Sequence, residues 1–184
     1  MTSPRPDAVR AFTIARAWFL EGRRVDMGDL AAELGISRAT LHRWVGGRDQ
    51  LLGEILWSMT VEMFEARASG KLGRGAKGIA ELIGTFVRTV NDSKPFREFL
   101  RNEPERALRI LTTKASVVQS RAIAKMRGFL EEEVAAGRLT PPLPVEDLAY
   151  LLVRISESFI YTDVITGAEP DATKAYAAAA ALLS

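Results

Sequence analysis

The stretch DLAAELGISRATLHRW, Asp29 to Trp44, decides the fold. Two short apolar-periodic segments meet there at a glycine. A helix-turn-helix needs apolar residues where its helices face each other, a small residue at their crossing and a glycine in the turn. Leu30, Leu34, Ile36, Leu41 and Trp44 or Val45 fill the apolar slots, Ala31 sits at the crossing, and Gly35 makes the turn. Asp26 is a good N-cap for the first helix, with Asp29 three residues on, and Ser37 caps the second. A capped, exposed helix N-terminus favours phosphate. Arg38, Thr40, His42 and Arg43 fall outside the core-facing set and are free to meet a major groove or a sugar–phosphate backbone. Arginine bonds guanine bidentately, and a threonine methyl can touch that of thymine. Thr40 and Arg43 fit phosphate equally well, and Trp44 fits a core position better than a base contact. The plainer alternative is a helical hairpin with a solvated basic face. Against it, Gly35 to Arg48 holds three arginines and a histidine with no acid.

Working outward, the chain has 184 residues, of which 47% are hydrophobic, so a sizeable core can be buried. With no cysteine, disulfides, zinc-thiolate sites and cysteine nucleophiles are excluded. The single histidine, His42, argues against a histidine-built metal site, and neither metal nor cofactor is expected. The N-terminus MTSPRPDAVR lacks the basic-then-apolar run of a signal peptide. No long charge-free apolar stretch suggests a membrane span. The expectation is a cytoplasmic protein with no membrane partner. A net charge of +2 is too small to argue for nucleic acid by itself; its placement matters more.

Almost every segment reads as helix, with Gly and Pro falling between periodic stretches. A first helix is expected over 7–21, with Val9, Phe12, Ile14, Ala15, Phe19 and Leu20 on its apolar face. The two helices of the motif follow, and a longer fourth runs from Arg48 to Ser69. GKLGRGAKG (70–78) reads as a basic loop and a boundary. Further helices are expected over 79–92, after Pro95, after Pro104, and over 114–136, 146–165 and 171–183. PPLP at 141–144 is a rigid break. The fold class is therefore all-α. A three-helix DNA-binding domain (1–47) carries the helix-turn-helix. The long fourth helix is expected to link it to a C-terminal helical domain (48–184).

The wider stretch ISRATLHRWVGGRDQLL, Ile36 to Leu52, resembles the TetR family of bacterial repressors. His42 stands where that family usually has a phosphate-contacting tyrosine, and Val45 where phenylalanine is common. Arg48 replaces a lysine that opens helix 4, and the resemblance implies a backbone-phosphate contact there. The set expected on DNA is thus Ser37, Arg38, Thr40, His42, Arg43 and Arg48. NEPERALRILT (102–112) and EDLAYLLVRISESFIYTDVITG (146–167) are similar to a branch that includes a regulator of quorum-signal degradation. That resemblance implies an effector of lactone type.

Two tasks are expected of the C-terminal part. One is dimerisation, since a single recognition helix reads only a few base pairs. The last two helices are the candidate interface, with Ala175, Ala178, Ala179 and Leu182 at helical spacing. Their other reading is an intramolecular core. The second task is sensing an apolar or amphipathic small molecule. Arg154, Glu157, Ser158 and Tyr161 lie together in an apolar helix. They either satisfy one another or line a cavity. Trp57, Met63, Phe64, Phe86, Phe96, Phe99 and Met126 are the candidate walls, each with plain core as its other reading. Glu103 and Arg121 have solvent exposure as their default.

An enzyme is the rival class. No GxSxG, P-loop or GxGxxG pattern is present, and Glu131–Glu133 reads as a solvated helix face. A constitutive DNA-binding protein is the third class, and it requires a filled C-terminal core.

Overall fold

Asp7, Asp26 and Ser37 each turn a side-chain oxygen onto a free amide at the start of a helix. These caps open α1 (Ala8–Leu20), α2 (Met27–Leu34) and α3 (Arg38–Val45). The computed structural model describes residues 7–68 and 73–184, apart from the side chains of residues 63 and 65–68. Met63 as a cavity wall, and residues 70–72 of the expected loop, lie outside the described residues. The chain continues as α4 (Arg48–Ala68), α5 (Gly75–Asp92), α6 (Lys94–Asn102), α7 (Pro104–Thr112), α8 (Val118–Ala135), α9 (Val145–Ile160), α10 (Thr162–Thr166) and α11 (Ala172–Leu182). No strand is present among the described residues.

Helices α1, α2 and α3 form the N-terminal three-helix unit, and α4 carries the chain into the C-terminal helices. On α1 the buried face is Ala11, Ala15, Trp18 and Phe19. Val9 and Leu20, expected on that face, are 72% and 40% exposed, Leu20 beside a cavity that α1 borders. They lie near the two ends of the helix, where fewer neighbours cover it. Leu51, Leu52, Ile55 and Leu56 of α4 are buried, joining α1 on one side to α7 and α8 on the other.

Three boundaries differ from the sequence expectation, each for a tertiary reason. Helix α5 starts at Gly75, not at Ile79, because the wholly buried Glu133 of α8 accepts from the Gly75 amide at 2.8 Å. An acceptor at a helix N-terminus complements the dipole. Arg138 donates to the same Glu133 oxygen at 2.6 Å. Glu133 thus leaves the solvated face expected for it, while Glu131 and Glu132 stay exposed. Helix α8 starts at Val118 and not near Lys114, since Thr113 and Ser116 hydroxyls take the amides of Ala115 and Val118. The single helix expected over 146–165 breaks at Tyr161. There Arg97 of α6 donates to the Ile160 carbonyl at 3.0 Å and pairs with Asp163.

Helix α11 lies along α5, where Ala175 and Ala179 are fully buried within the one chain. Gly84 of α5 permits this approach, since a Cβ there would stand 3.0 Å from that of Tyr176. The small-residue face suggested for the dimer is therefore, at Ala175 and Ala179, an intramolecular contact.

Candidate nucleic-acid interface and effector cavity

At the motif, sequence and structure agree closely. Gly35 takes the left-handed conformation (φ +65°) that ends α2, and its amide bonds back to Ala32. Leu30, Ala31, Leu34 and Leu41 are buried at the crossing; Ile36, Trp44 and Val45 are half-buried around it. The Ser37 hydroxyl accepts from the Thr40 amide at 3.1 Å and lies 3.0 Å from the Thr40 hydroxyl. Ser37, Arg38, His42 and Arg43 are exposed, and Thr40 is half-buried. Arg43 reaches back to the Thr40 hydroxyl at 3.3 Å, a long contact that leaves its guanidinium largely in solvent. Arg38 leans over the first turn of α2: a Cβ on Gly28 would collide with its guanidinium. The neighbouring Asp26 carboxyl is held below its usual range, first by the Asp29 and Gly28 amides and to a smaller degree by Arg38. The outcome is a helix end with solvent-exposed guanidinium groups and one oriented hydroxyl pair.

Arg48 departs from this set. Its guanidinium is mostly buried and turned inward, donating to both Glu103 carboxylate oxygens at 2.6 Å and to the Val25 carbonyl. The guanidinium for which the resemblance implies a phosphate contact is thus held in an internal clamp. The reason is bidentate geometry: a guanidinium matches a carboxylate and a carbonyl at once, where an ammonium is a point charge. Glu103 also accepts from Arg106 at 2.6 Å, and Asp49 pairs with Arg106 and Arg109. Led by the Arg48 bond, these partners lower the Glu103 pKa to about 2. Sequence reasoning gave Glu103 to solvent. The pairing crosses from α4 to the α6–α7 junction, so no local spacing signals it.

A cavity of about 420 Å³ opens within the C-terminal domain, bounded by α4 to α9 and roofed on one side by α1. Its walls are mainly apolar. Phe64 stacks on Phe86 with centroids 5.7 Å apart and meets Phe129 edge-on. Met126 and Phe96 also line it, as do Leu82, Ile83 and Leu111, which the sequence did not single out. Aromatic and thioether side chains mark a wall only once the helices are assembled, so core and cavity read alike in sequence.

The polar group of α9 divides. Glu157 and Tyr161 face the cavity. Arg154 and Ser158 do not line it. Arg154 approaches Glu157 from the rim at 2.5 Å, and Ser158 is exposed, its hydroxyl bonded to the Arg154 carbonyl. Burial pushes the Glu157 carboxyl up to about 7 against the opposing effect of Arg154, and raises Tyr161 well above its ordinary value. Trp57 and Phe99 also fall outside. Trp57 packs behind Phe64, 6.4 Å away, with Arg121 over its face, while Arg121 itself pairs with Glu54 at 2.7 Å. Phe99 meets Phe19 edge-on in a separate concavity between α1 and α6. At the cavity mouth Arg16 of α1 bonds Ser58 and Glu62 of α4 at 3.0 and 2.6 Å. Among the described residues no group of three or more His, Cys, Asp or Glu is placed to hold a metal. Nor is any helix of the described residues long and apolar enough to cross a membrane.

Comparison with known proteins adds two findings. The family model described as Tetracyclin repressor-like, C-terminal domain, matches residues 74–184. Among solved structures, the R. erythropolis transcriptional repressor QsdR, from the TetR family, is 30% identical with a TM-score of 0.86. That match covers 96% of this chain and 93% of the other. No curated protein matches the chain in sequence.

Proposed function

The chain belongs to the TetR family of transcriptional regulators, and from that premise we propose that it is a repressor released from its operator by a small molecule. Regulators of this family bind DNA operators, act as dimers and are generally not enzymes. The observation that carries the reading is the recognition helix, whose capped N-terminus and cationic face stand in solvent with no acid from Gly35 to Arg48. Ser37, Arg38, Thr40, His42 and Arg43 are proposed to meet DNA, with Arg48 holding the domain joint from inside. Residues 1–47 are the proposed DNA-binding unit and 48–184 the sensing and dimerising one. The proposed site of action is the cytoplasm, and no catalytic role is proposed.

The dimer is proposed to form through outward surfaces of α9, α10 and α11. Tyr150, Ile165 and Tyr176 support this, being large and exposed at 49%, 65% and 38%. The effector is proposed to occupy the 420 Å³ cavity, as an amphipathic molecule of the lactone-related kind. Its occupancy is proposed to shift α4 relative to α1. Two contacts support that route: Arg16 joins those helices at the cavity mouth, and Glu103 ties the α6–α7 junction to Arg48. A ligand moves such an equilibrium only by its differential affinity for the two states.

Selection of genomic fragments on the purified protein, repeated at higher salt, tests the reading. A two-fold symmetric site that survives the salt step is expected. Recovery of DNA without sequence preference would demote the motif to a general DNA binder.

A further inference from the structure

The cavity wall holds a buried carboxylate oxygen that no donor meets in hydrogen-bonding geometry. The Glu157 side chain is only 10% exposed. Its Oε1 accepts from the Gln119 amide nitrogen of α8 at 2.7 Å; that nitrogen also donates to the Leu111 carbonyl. Its Oε2 lies 2.5 Å from an Arg154 nitrogen, yet no donor reaches it in hydrogen-bonding geometry. Tyr161 lines the same cavity, and the Glu157 charge acts on its hydroxyl. A buried acceptor left without a donor is costly, and a ligand that supplies the donor gains accordingly.

The head group can be chosen by elimination. An anion meets Glu157. An ammonium meets Arg154, which already stands at the same oxygen. An ester or a bare lactone brings acceptors only and leaves Oε2 as it was. A neutral group with an N–H beside a carbonyl matches both sides: the carboxylate takes the N–H, and a tyrosine hydroxyl can donate to the carbonyl. The aromatic and aliphatic walls take an acyl tail. We propose that the effector is a neutral acyl amide, its N–H held by Glu157 and its carbonyl by Tyr161. This rests on the cavity being the effector site and narrows the lactone-related expectation to molecules that carry an amide. The match holds where Glu157 is ionised, above its value of about 7. The charged or titratable groups around it are Arg154 and Tyr161 from its own segment, with Arg16 and Glu62 at the mouth.

Octanamide, octylamine, octanoate, methyl octanoate and γ-decalactone would be titrated into the full-length protein well above neutral pH. Calorimetry and the shift in melting temperature are the readouts. Octanamide is expected to bind about tenfold more tightly than methyl octanoate, the effect of one added hydrogen bond to a charged group. In Glu157→Gln that preference is expected to collapse. Should the variant fold poorly, Tyr161→Phe serves instead: it weakens octanamide and leaves octylamine as it was. Methyl octanoate or γ-decalactone binding as tightly as octanamide, or a preference that survives Glu157→Gln, overturns the head-group assignment while keeping the effector site. Absence of any melting shift across the panel overturns both.

Discussion

The recognition helix and the cavity are assembled from different kinds of contact. Around Gly35 the interacting residues come from α2 and α3, which adjoin in the chain, and their caps and turn are local. Around Glu157 the walls come from α4 to α9, and the polar partner Gln119 belongs to another helix. The first surface leaves its charges in water for a partner to take up. The second buries its charges and has to answer their desolvation inside the fold. Local geometry can present a binding face; an enclosed polar site requires the whole bundle.

The sharpest way to break that contrast is to strike the core under each surface. Leu41→Ala removes a fully buried side chain beneath the recognition helix and is expected to cost about 2–5 kcal/mol in denaturant unfolding. A smaller loss would mean the motif collapses readily around the gap. Next, Arg48→Ala leaves Glu103 half of its clamp and is expected to cost about 2 kcal/mol near neutral pH. Because the folded Glu103 pKa is lowered from 4.5 to about 2, its stabilisation is present above 4.5 and fades as pH falls toward 2. Wild-type and variant stabilities should therefore converge in acid. A change in the salt slope of DNA binding by Arg48→Ala would instead return this residue to the phosphate backbone.

Glu157 has the opposite sign. Its folded pKa is raised from 4.5 to about 7, so its contribution is full below 4.5 and lost as pH rises through about 7. Glu157→Gln is expected to raise stability by about 1–3 kcal/mol above that pH and to change little below 4.5. A pH-independent difference would show that the carboxyl is ionised throughout. On the exposed surface, Arg43→Ala should weaken operator binding by about 1–3 kcal/mol with no change in melting temperature. Unchanged affinity would remove it from the interface. The smallest effect is expected of Ser37→Ala, about 1 kcal/mol of stability from the lost cap.

Residue by residue, legibility follows the distance over which partners act. Gly35, Ser37 and the Leu30–Leu34–Leu41 set were readable because spacing along adjoining helices dictates who meets whom. Phe64, Phe86, Phe96 and Met126 were readable as apolar but not distinguishable from Trp57 and Phe99, which fall outside the cavity. Glu103 and Glu133 were misplaced at the surface because their partners, Arg48 and the Gly75 amide, sit on distant segments. The breaks at Tyr161 and before Val118 were invisible for the same reason: side chains capture carbonyls and amides that helix periodicity alone would keep in the ladder.

By itself the sequence determined the all-helical class, the helix-turn-helix and its exposed basic face. These depend on periodicity, caps and a glycine, all short-range properties of the chain. Only the tertiary structure decided which side of α9 faces a cavity, that Arg48 turns inward, and that Ala175 and Ala179 pack on α5. Each of those outcomes is a competition among distant partners for one side chain, and it is settled by burial and hydrogen-bond geometry once the helices have packed.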